Sequence, residues 1–456
     1  MNKHSTTFWI VFWIAAVVFL FGWYAFWEFK NRNVEDLGGL VGLLPETETK
    51  DDLRTVITIA DALLYTNGET KTFLLLFQNN LELRPGGGFI GSFAILKVRD
   101  GSVTAFEVHD SGNFDGRIPD TVPAPYPMPE TLKVKAWKLR DSNYSPDWMT
   151  NAEKAVEFYR LGQGEESFDG VIGITTNVLA SFLKVTGPVE VPGYPGVYGP
   201  ENAVLDLEYQ VEQGFVEQNI ARGERKTIMN ALGRAVLDKA KDLSLPKKYE
   251  LFKTVLEDLH RKDIQIAFKD KELQRVVENA GWGGIVDRVW QDDYLMVVDA
   301  NLSALKTDYR MKRSIDYSVD LRPTDPTVTA TVTYTHTAKT KDYMTRDYQT
   351  YLRLYVPEGS WLQTVSGNAK PAVYGSELGK KTFGVLVQVP LGTTKSVTFQ
   401  YTLPKNIDAS FYDLKIQKQA GVNDVPVHLK ITEKDGSIKE KDFTLNRDTT
   451  LGMLEG

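Results

Sequence analysis

Four short stretches carry side chains whose type and spacing could bind or transfer a charged group. "RPGGG" at 84–88 sets Arg84 before Gly86, Gly87 and Gly88. Glycine runs lose much backbone entropy on folding, so they mark sharp turns or places where something approaches the backbone closely. A phosphate loop needs GxxxxGK[ST] opening a helix, and a dinucleotide fingerprint needs GxGxxG in the same setting. Here strand-like apolar runs stand on both sides, which sets nucleotide binding aside. Two readings remain open: a turn that needs positive φ, or a nest of backbone N–H groups that holds an anion beside Arg84.

The second stretch is "VHDSGNFDGR", with His109, Asp110 and Asp115 just past a strand end. Adjacent strand residues point to opposite faces, so His109, Asp110 and Ser111 cannot converge as a triad. Asp110 and Asp115 sit where loop carboxylates hold a metal or a substrate hydroxyl, and equally where Asp and Asn simply make turns. In "LRDSNYSPDW" (139–148), Asp147 reads as a helix cap, and Arg140 could join Arg84 as a bidentate anion ligand. Last, "ARGERKTIMNAL" places Arg222, Arg225 and Lys226 at i, i+3 and i+4, one face of a helix. Cations at a helix N-terminus oppose its dipole unless an anion sits opposite; the alternative is a solvated face neutralised by Glu217 and Glu224.

These residues need elements to hold them. Residues 51–65 have helical apolar spacing, 72–77 and 89–98 read as strands, and "RDGS" signals a hairpin into a strand at 103–108. Prolines crowd 119–129, so that segment should be extended. A helix at 152–159, a strand at 170–174, a helix at 177–185 and two more at 220–243 and 249–259 complete an alternating pattern. Alternation of this kind predicts an α/β domain with a mixed sheet and packed helices over 72–311. From 312 to 456 helix patterns vanish, and runs such as "TVTATVTYTH" and "TFGVLVQV" predict an all-β sandwich.

Composition narrows the function. The 42 % hydrophobic and 25 % charged content is that of a globular protein, and a net charge of −7 argues against nucleic acid as a partner. With no cysteine there is no thiol nucleophile, disulfide or cysteine-ligated metal, and the five histidines show no metal-ligand spacing. Residues 8–27, "FWIVFWIAAVVFLFGWYAFW", carry no charge. At helical rise they would span about 30 Å of hydrocarbon. Bulky residues fill the place where a signal peptidase would need small ones, so an uncleaved anchor is expected within 1–30, followed by a stalk and helix over 31–71.

Taken together, "FLLLFQNNLELRPGGGFIGSFAILKVRDGSV", "LRDSNYSPDW", "FDGVIGITTNVLASFLKVTGPV" and "DDYLMVVDANLSALKTDY" resemble a bacterial membrane-anchored family known as domain of unknown function 4012. The resemblance extends over 72–309 and implies an anchored, extracytoplasmic layout. In pattern the chain is also distantly similar to the LytR-CpsA-Psr envelope proteins, which transfer glycopolymers from polyprenyl-pyrophosphate lipids outside the membrane. Arg84 before Phe89, "LKVTGPVEV" and "ARGERKTIM" fall in comparable order, but His109-Asp110 stands where that family has an Arg-Asp loop.

The resulting expectation is a single-pass protein of the cell membrane, mostly extracytoplasmic, that binds a polyprenyl-pyrophosphate-linked glycan. Arg84, Arg140, Arg222, Arg225 and Lys226 would hold the pyrophosphate. Transfer of the glycan would be the enzymatic extension, with Asp110 or Asp115 placing a divalent cation such as Mg²⁺ or acting as base. The rival from another class is a non-catalytic envelope scaffold or adhesion protein that binds a partner through the sandwich.

Overall fold

The computed structural model describes residues 48–452 apart from 65, 222, 223, 226 and 409. The expected anchor at 8–27 and two candidate site residues, Arg222 and Lys226, lie outside the described residues. No helix among the described residues is long and apolar enough to cross a membrane.

The chain divides into two compact units. The first holds residues up to Gln78, Ile90–Arg117 and Tyr159–Gly283; the second holds Asn79–Phe89, Ile118–Phe158 and the chain from Gly284 onward.

The first unit is a mixed α/β assembly around a five-stranded sheet of order β3-β2-β1-β4-β7. These strands are β1 (Lys71–Asn79), β2 (Phe89–Arg99), β3 (Ser102–Asp110), β4 (Gly170–Thr175) and β7 (Ile264–Phe268). β4, between β1 and β7, is buried at every position, as "GVIGIT" would require of a strand covered on both faces. It runs parallel to β1 and antiparallel to β7. The β2–β3 turn places Asp100 and Gly101 at φ 46° and 69°, the left-handed pair that the "DG" signal predicts. The longer helices of this unit are α1 (Glu48–Leu64), α3 (Asn177–Thr186), α4 (Thr227–Lys241), α5 (Leu245–His260) and α6 (Lys271–Asn279), and α2 (Trp148–Leu161) precedes α3 in the chain. Their apolar faces, with Leu183, Val236, Leu251 and Leu259, share one core with Leu75, Ile172 and Ile266 of the sheet. Each such fully buried side chain contributes about 1.5–3 kcal/mol of transfer free energy.

Two six-stranded sheets make the second unit, in the orders β12-β15-β10-β9-β17-β18 and β13-β14-β11-β8-β16-β19. The first comprises β12 (Trp361–Ser366), β15 (Thr394–Thr402), β10 (Thr327–His336), β9 (Met311–Asp320), β17 (Val425–Thr432) and β18 (Ile438–Leu445). The second comprises β13 (Val373–Glu377), β14 (Lys380–Val389), β11 (Tyr348–Pro357), β8 (Asp293–Asn301), β16 (Leu414–Gln417) and β19 (Thr449–Leu451). β10 alternates half-buried and buried along its whole length, and its buried Val328, Val332 and Tyr334 meet Leu354, Val385 and Val387 of the other sheet in one core.

This arrangement departs from a boundary at 311/312. β8, from "DDYLMVVDAN", lies between β11 and β16 in the second sheet of the β-rich unit. That strand is buried on both faces, so its near-continuous apolar run reads the same in an α/β sheet as in the middle of a two-sheet stack. The "RPGGG" stretch and "LRDSNYSPDW" also belong to the β-rich unit.

Candidate functional site

Arg84 is the starting point, because its exposure decides whether an anion can reach it. It is 2 % exposed, and its own chain occupies the guanidinium. Nε donates to Asp141 Oδ1 at 2.7 Å and Nη2 to Glu82 Oε1 at 2.9 Å. Nη1 donates to the carbonyls of Leu83 and Asn301 at 3.2 and 3.1 Å, and the fork lies 5.4 Å from the centre of the Phe89 ring. The neighbouring Asp141 and Glu82 carboxylates outweigh burial and hold the Arg84 pKa above its ordinary value. The expected anion ligand is thus an internal cation, and Asp141, from the loop expected to supply Arg140, is its main partner. Arg140 itself is half-buried on the single turn Leu139–Asp141.

The three glycines are likewise approached by the protein. Gly86 N–H donates to Asn143 O at 2.9 Å and the residue bridges Ala420, while Asn143 Nδ2 donates to Gly88 O at 2.6 Å. A Cβ on Gly88 would stand 2.5 Å from the backbone of Asn79, and one on Gly421 only 1.8 Å from Gly87 O. Both Gly87 (φ 134°) and Gly421 (φ 74°) also need the left-handed region. Of the two open readings, the turn that needs positive φ is the one Gly87 fits, and the close approach that Gly86, Gly87 and Gly88 permit is made by the protein's own backbone.

Around this joint runs a buried polar network that sequence reasoning missed. Asn301, whose carbonyl accepts from Arg84, donates through Nδ2 to Asp308 Oδ2 at 2.6 Å, and Asp308 Oδ2 also accepts from Leu83 N–H at 3.1 Å. Arg313 reaches Asp308 Oδ1 at 2.6 Å and Asp299 Oδ2 at 2.8 Å. Asp299 Oδ1 accepts from Tyr334 Oη at 2.8 Å and Thr350 Oγ1 at 2.9 Å. Gln419 ties both ends, donating to Arg84 O at 3.2 Å and Asp299 O at 2.8 Å. The available signal was Asp299 itself, a charge inside the apolar run of a buried strand, where an unpaired carboxylate would be costly.

The remaining candidates are scattered. Asp110 caps the single turn Ser111–Asp115 by accepting from Asn113 N–H at 2.8 Å, which is the turn reading of that stretch. Asp115 is buried, 2 % exposed. His109 stacks on Phe93 with ring centres 5.0 Å apart, and burial lowers its pKa. Ser111, the first residue of that turn, donates to Ile90 O at 2.6 Å. Asp147 does cap: its Oδ1 accepts from Thr150 N–H at 3.0 Å, and Oδ2 accepts from Val286 N–H at 3.1 Å. Helix α4 begins at Thr227, so Arg225 stands before it instead of on its face, and pairs with Glu212 at 3.4 Å. Among the described residues, no three acidic or histidine side chains come together as metal ligands.

One further acidic pair lies in the α/β unit. Asp258 and Asp263 are 3 % and 2 % exposed. Burial first, then the nearby Asp263 charge, raises the Asp258 pKa well above the usual carboxylate range, against the pull of Ser181 Oγ, which donates to it at 2.6 Å. Asp263 accepts from Thr175 Oγ1 and Asn177 Nδ2, both at 2.8 Å. Two carboxyls so enclosed join β4, α3 and α5; they stand away from any open surface.

Residues 68–211 match the profile of a family described as protein of unknown function (DUF4012). The comparison with curated proteins gives no match. Among solved structures, protein gbs0355 from Streptococcus agalactiae is similar over 49 % of this chain and 76 % of its own, at 10 % identity and a TM-score of 0.31. Lin1025 protein from Listeria innocua is similar over 47 % and 79 %, at 11 % identity and 0.26. A putative transcriptional factor, Lmo1026 from Listeria monocytogenes, is similar over 50 % and 86 %, at 11 % identity and 0.24. Likeness at these scores bears on neither the fold nor the function of this chain.

Proposed function

We propose that this protein is a non-catalytic binding or scaffold protein of the bacterial envelope, held by residues 8–27 with its two units outside the cytoplasm. The β-rich unit, read as a sandwich, presents the surface a partner uses. The observation that carries this reading is the state of Arg84: its N–H groups go to Asp141, Glu82 and two carbonyls at 2 % exposure, so the centre of the expected pyrophosphate site is structural. The anchor is supported by the uncharged length of 8–27 and by the resemblance of the chain to a membrane-anchored family.

Two measurements on the full chain test it. Protease added to intact cells should digest the β-rich unit; protection that ends only on lysis overturns the extracytoplasmic placement. Detergent-extracted protein should carry no stoichiometric polyprenyl phosphate by mass spectrometry, and Arg84→Ala should lower the melting temperature. A retained lipid that Arg84→Ala releases without altering stability would restore the anion-site reading.

A further inference from the structure

The outward face of the first β-rich sheet has an unusual chemistry. Along β10 every outward residue from Thr327 to Thr335 is threonine, and their partners on β15 are Thr402, Gln400, Thr398, Ser396 and Thr394. Ten adjoining positions thus hold nine hydroxyls and one amide. At the chain's 25 % charged content, ten surface positions would carry about two or three charges. Strand propensity explains threonine in place of alanine, but it does not explain the lack of lysine and glutamate. The charges sit on the flanking strands of the same sheet: on β9, Lys312, Asp316 and Asp320 lie opposite Thr335, Thr331 and Thr327, and on β17 and β18 Lys430 pairs with Glu440 at 3.2 Å and His428 with Asp442 at 2.7 Å, so the uncharged strip is β10, β15 and the β12 edge.

The hydroxyls are ordered by each other. Thr331 and Thr398 are 2.9 Å apart, Thr333 and Ser396 2.9 Å, and Thr335 and Thr394 3.0 Å. In each pair one hydrogen is used, which leaves the other O–H to donate outward and lone pairs to accept. A row of pairs that both donate and accept matches the hydroxyls of a sugar chain. At the corner of this face Trp361, on edge strand β12, lies opposite Thr402 and is 73 % exposed. An indole so placed offers the flat apolar surface on which a pyranose ring stacks. An acidic polymer would find no cation at the outward positions of β10 and β15, and a protein partner would lack the apolar centre that stable interfaces use.

From this we infer that the β10–β15–β12 face binds a neutral polysaccharide strand, with the paired hydroxyls giving its hydrogen bonds and Trp361 its stacking contact. The inference rests on the reading of this unit as a binding module, and names its partner class. Native gels cast with a neutral glucan, mannan or galactan, or with acidic polygalacturonate, test it on the detergent-solubilised full chain. At least one neutral gel should retard the protein and the acidic gel should not. Trp361→Ala, and Thr331→Val with Thr398→Val, should each weaken retardation by about fivefold or more, while Lys430→Ala leaves it unchanged. Should the double variant fail to fold, the exposed Trp361→Ala still decides. No retardation in any neutral gel, equal retardation in the acidic gel, or retardation that survives Trp361→Ala overturns the proposal. Because the purified chain is used, such a failure is distinct from a failure of the protease or lipid-retention experiments, which concern location and the pyrophosphate site.

Discussion

Two buried acidic sites in the β-rich unit are held in opposite ways. Asp299 and Asp308 face a cation, Arg313, at 2.8 and 2.6 Å, and their lone pairs are further met by Tyr334, Tyr348, Thr350 and Asn301. Asp293, on the same strand as Asp299, has no cation: Tyr317 Oη donates at 2.6 Å, Tyr412 Oη donates to the same oxygen, and Tyr294 N–H donates at 2.8 Å. Burial pushes Asp293 up to about 6 although the two tyrosines pull the other way, whereas burial works to lower the Arg313 pKa and Tyr348, Asp299 and Asp308 together hold it well above the ordinary value. The lesson is that hydroxyls can seat a buried carboxyl, but only a cation fixes its charge. The first site should therefore be sensitive to losing its partner, and the second to pH.

The largest effect should come from removing the cation. Arg313→Ala would leave Asp299 and Asp308 buried without a countercharge, which costs about 3–5 kcal/mol. The variant should show a much lower urea midpoint, or should not accumulate folded. Arg84→Ala should act in the same direction by about 2–4 kcal/mol, less because Glu82 is 12 % exposed and can turn to water. Replacing Arg84 and Asp141 together by methionine and leucine should recover part of that loss. If either single arginine variant kept wild-type stability, the ion-paired side of the comparison would fail.

Asp293 sharpens the other side. A folded pKa raised from 3.8 to about 6 means stability that is present below pH 4 and is lost as pH rises through 6. About two units correspond to roughly 3 kcal/mol across that window. Asp293→Asn keeps an acceptor for the tyrosines and removes the titration, so its stability should be flat between pH 4 and 6 relative to wild type. An unchanged slope in chemical denaturation across those pH values would show that Asp293 does not carry it.

How far these sites were legible follows from which interactions are local. The β2–β3 turn and the alternation of β10 depend on neighbours in sequence, and both could be read from it. β10 even displayed its threonine row, although periodicity alone says only that a strand has an outer face. The fate of Arg84 depends on Asp141 and Asn301, 57 and 217 residues away, so "RPGGG" could show that something comes close without showing what. Of the basic stretch, Arg225 precedes α4, which starts at Thr227, and its partner Glu212 lies thirteen residues back, beyond the Glu217 and Glu224 that the sequence offered. β8 carried its clue openly, since Asp293 and Asp299 interrupt an apolar strand, but a buried charge announces a partner without naming it.

The smallest predicted effect lies in the α/β unit, where a hydroxyl also seats a buried carboxyl, that of Asp258, with Arg261 as the nearby cation. Ser181 Oγ donates to it at 2.6 Å and favours its ionised form, against burial and the Asp263 charge. Ser181→Ala removes that donor, so the Asp258 pKa should rise further. The sign is fixed by linkage: a raised carboxyl stabilises the fold at low pH and loses that contribution as pH climbs through the folded pKa. Ser181→Ala should therefore cost more at high pH than at low pH, by about 1 kcal/mol when the variant is compared at pH 4 and pH 8. Denaturation of the variant at both pH values measures the difference directly. An equal loss at both would mean that Ser181 only fills space between α3 and α5, and a larger loss at pH 4 would mean that Asp258 donates to Ser181 instead of accepting from it.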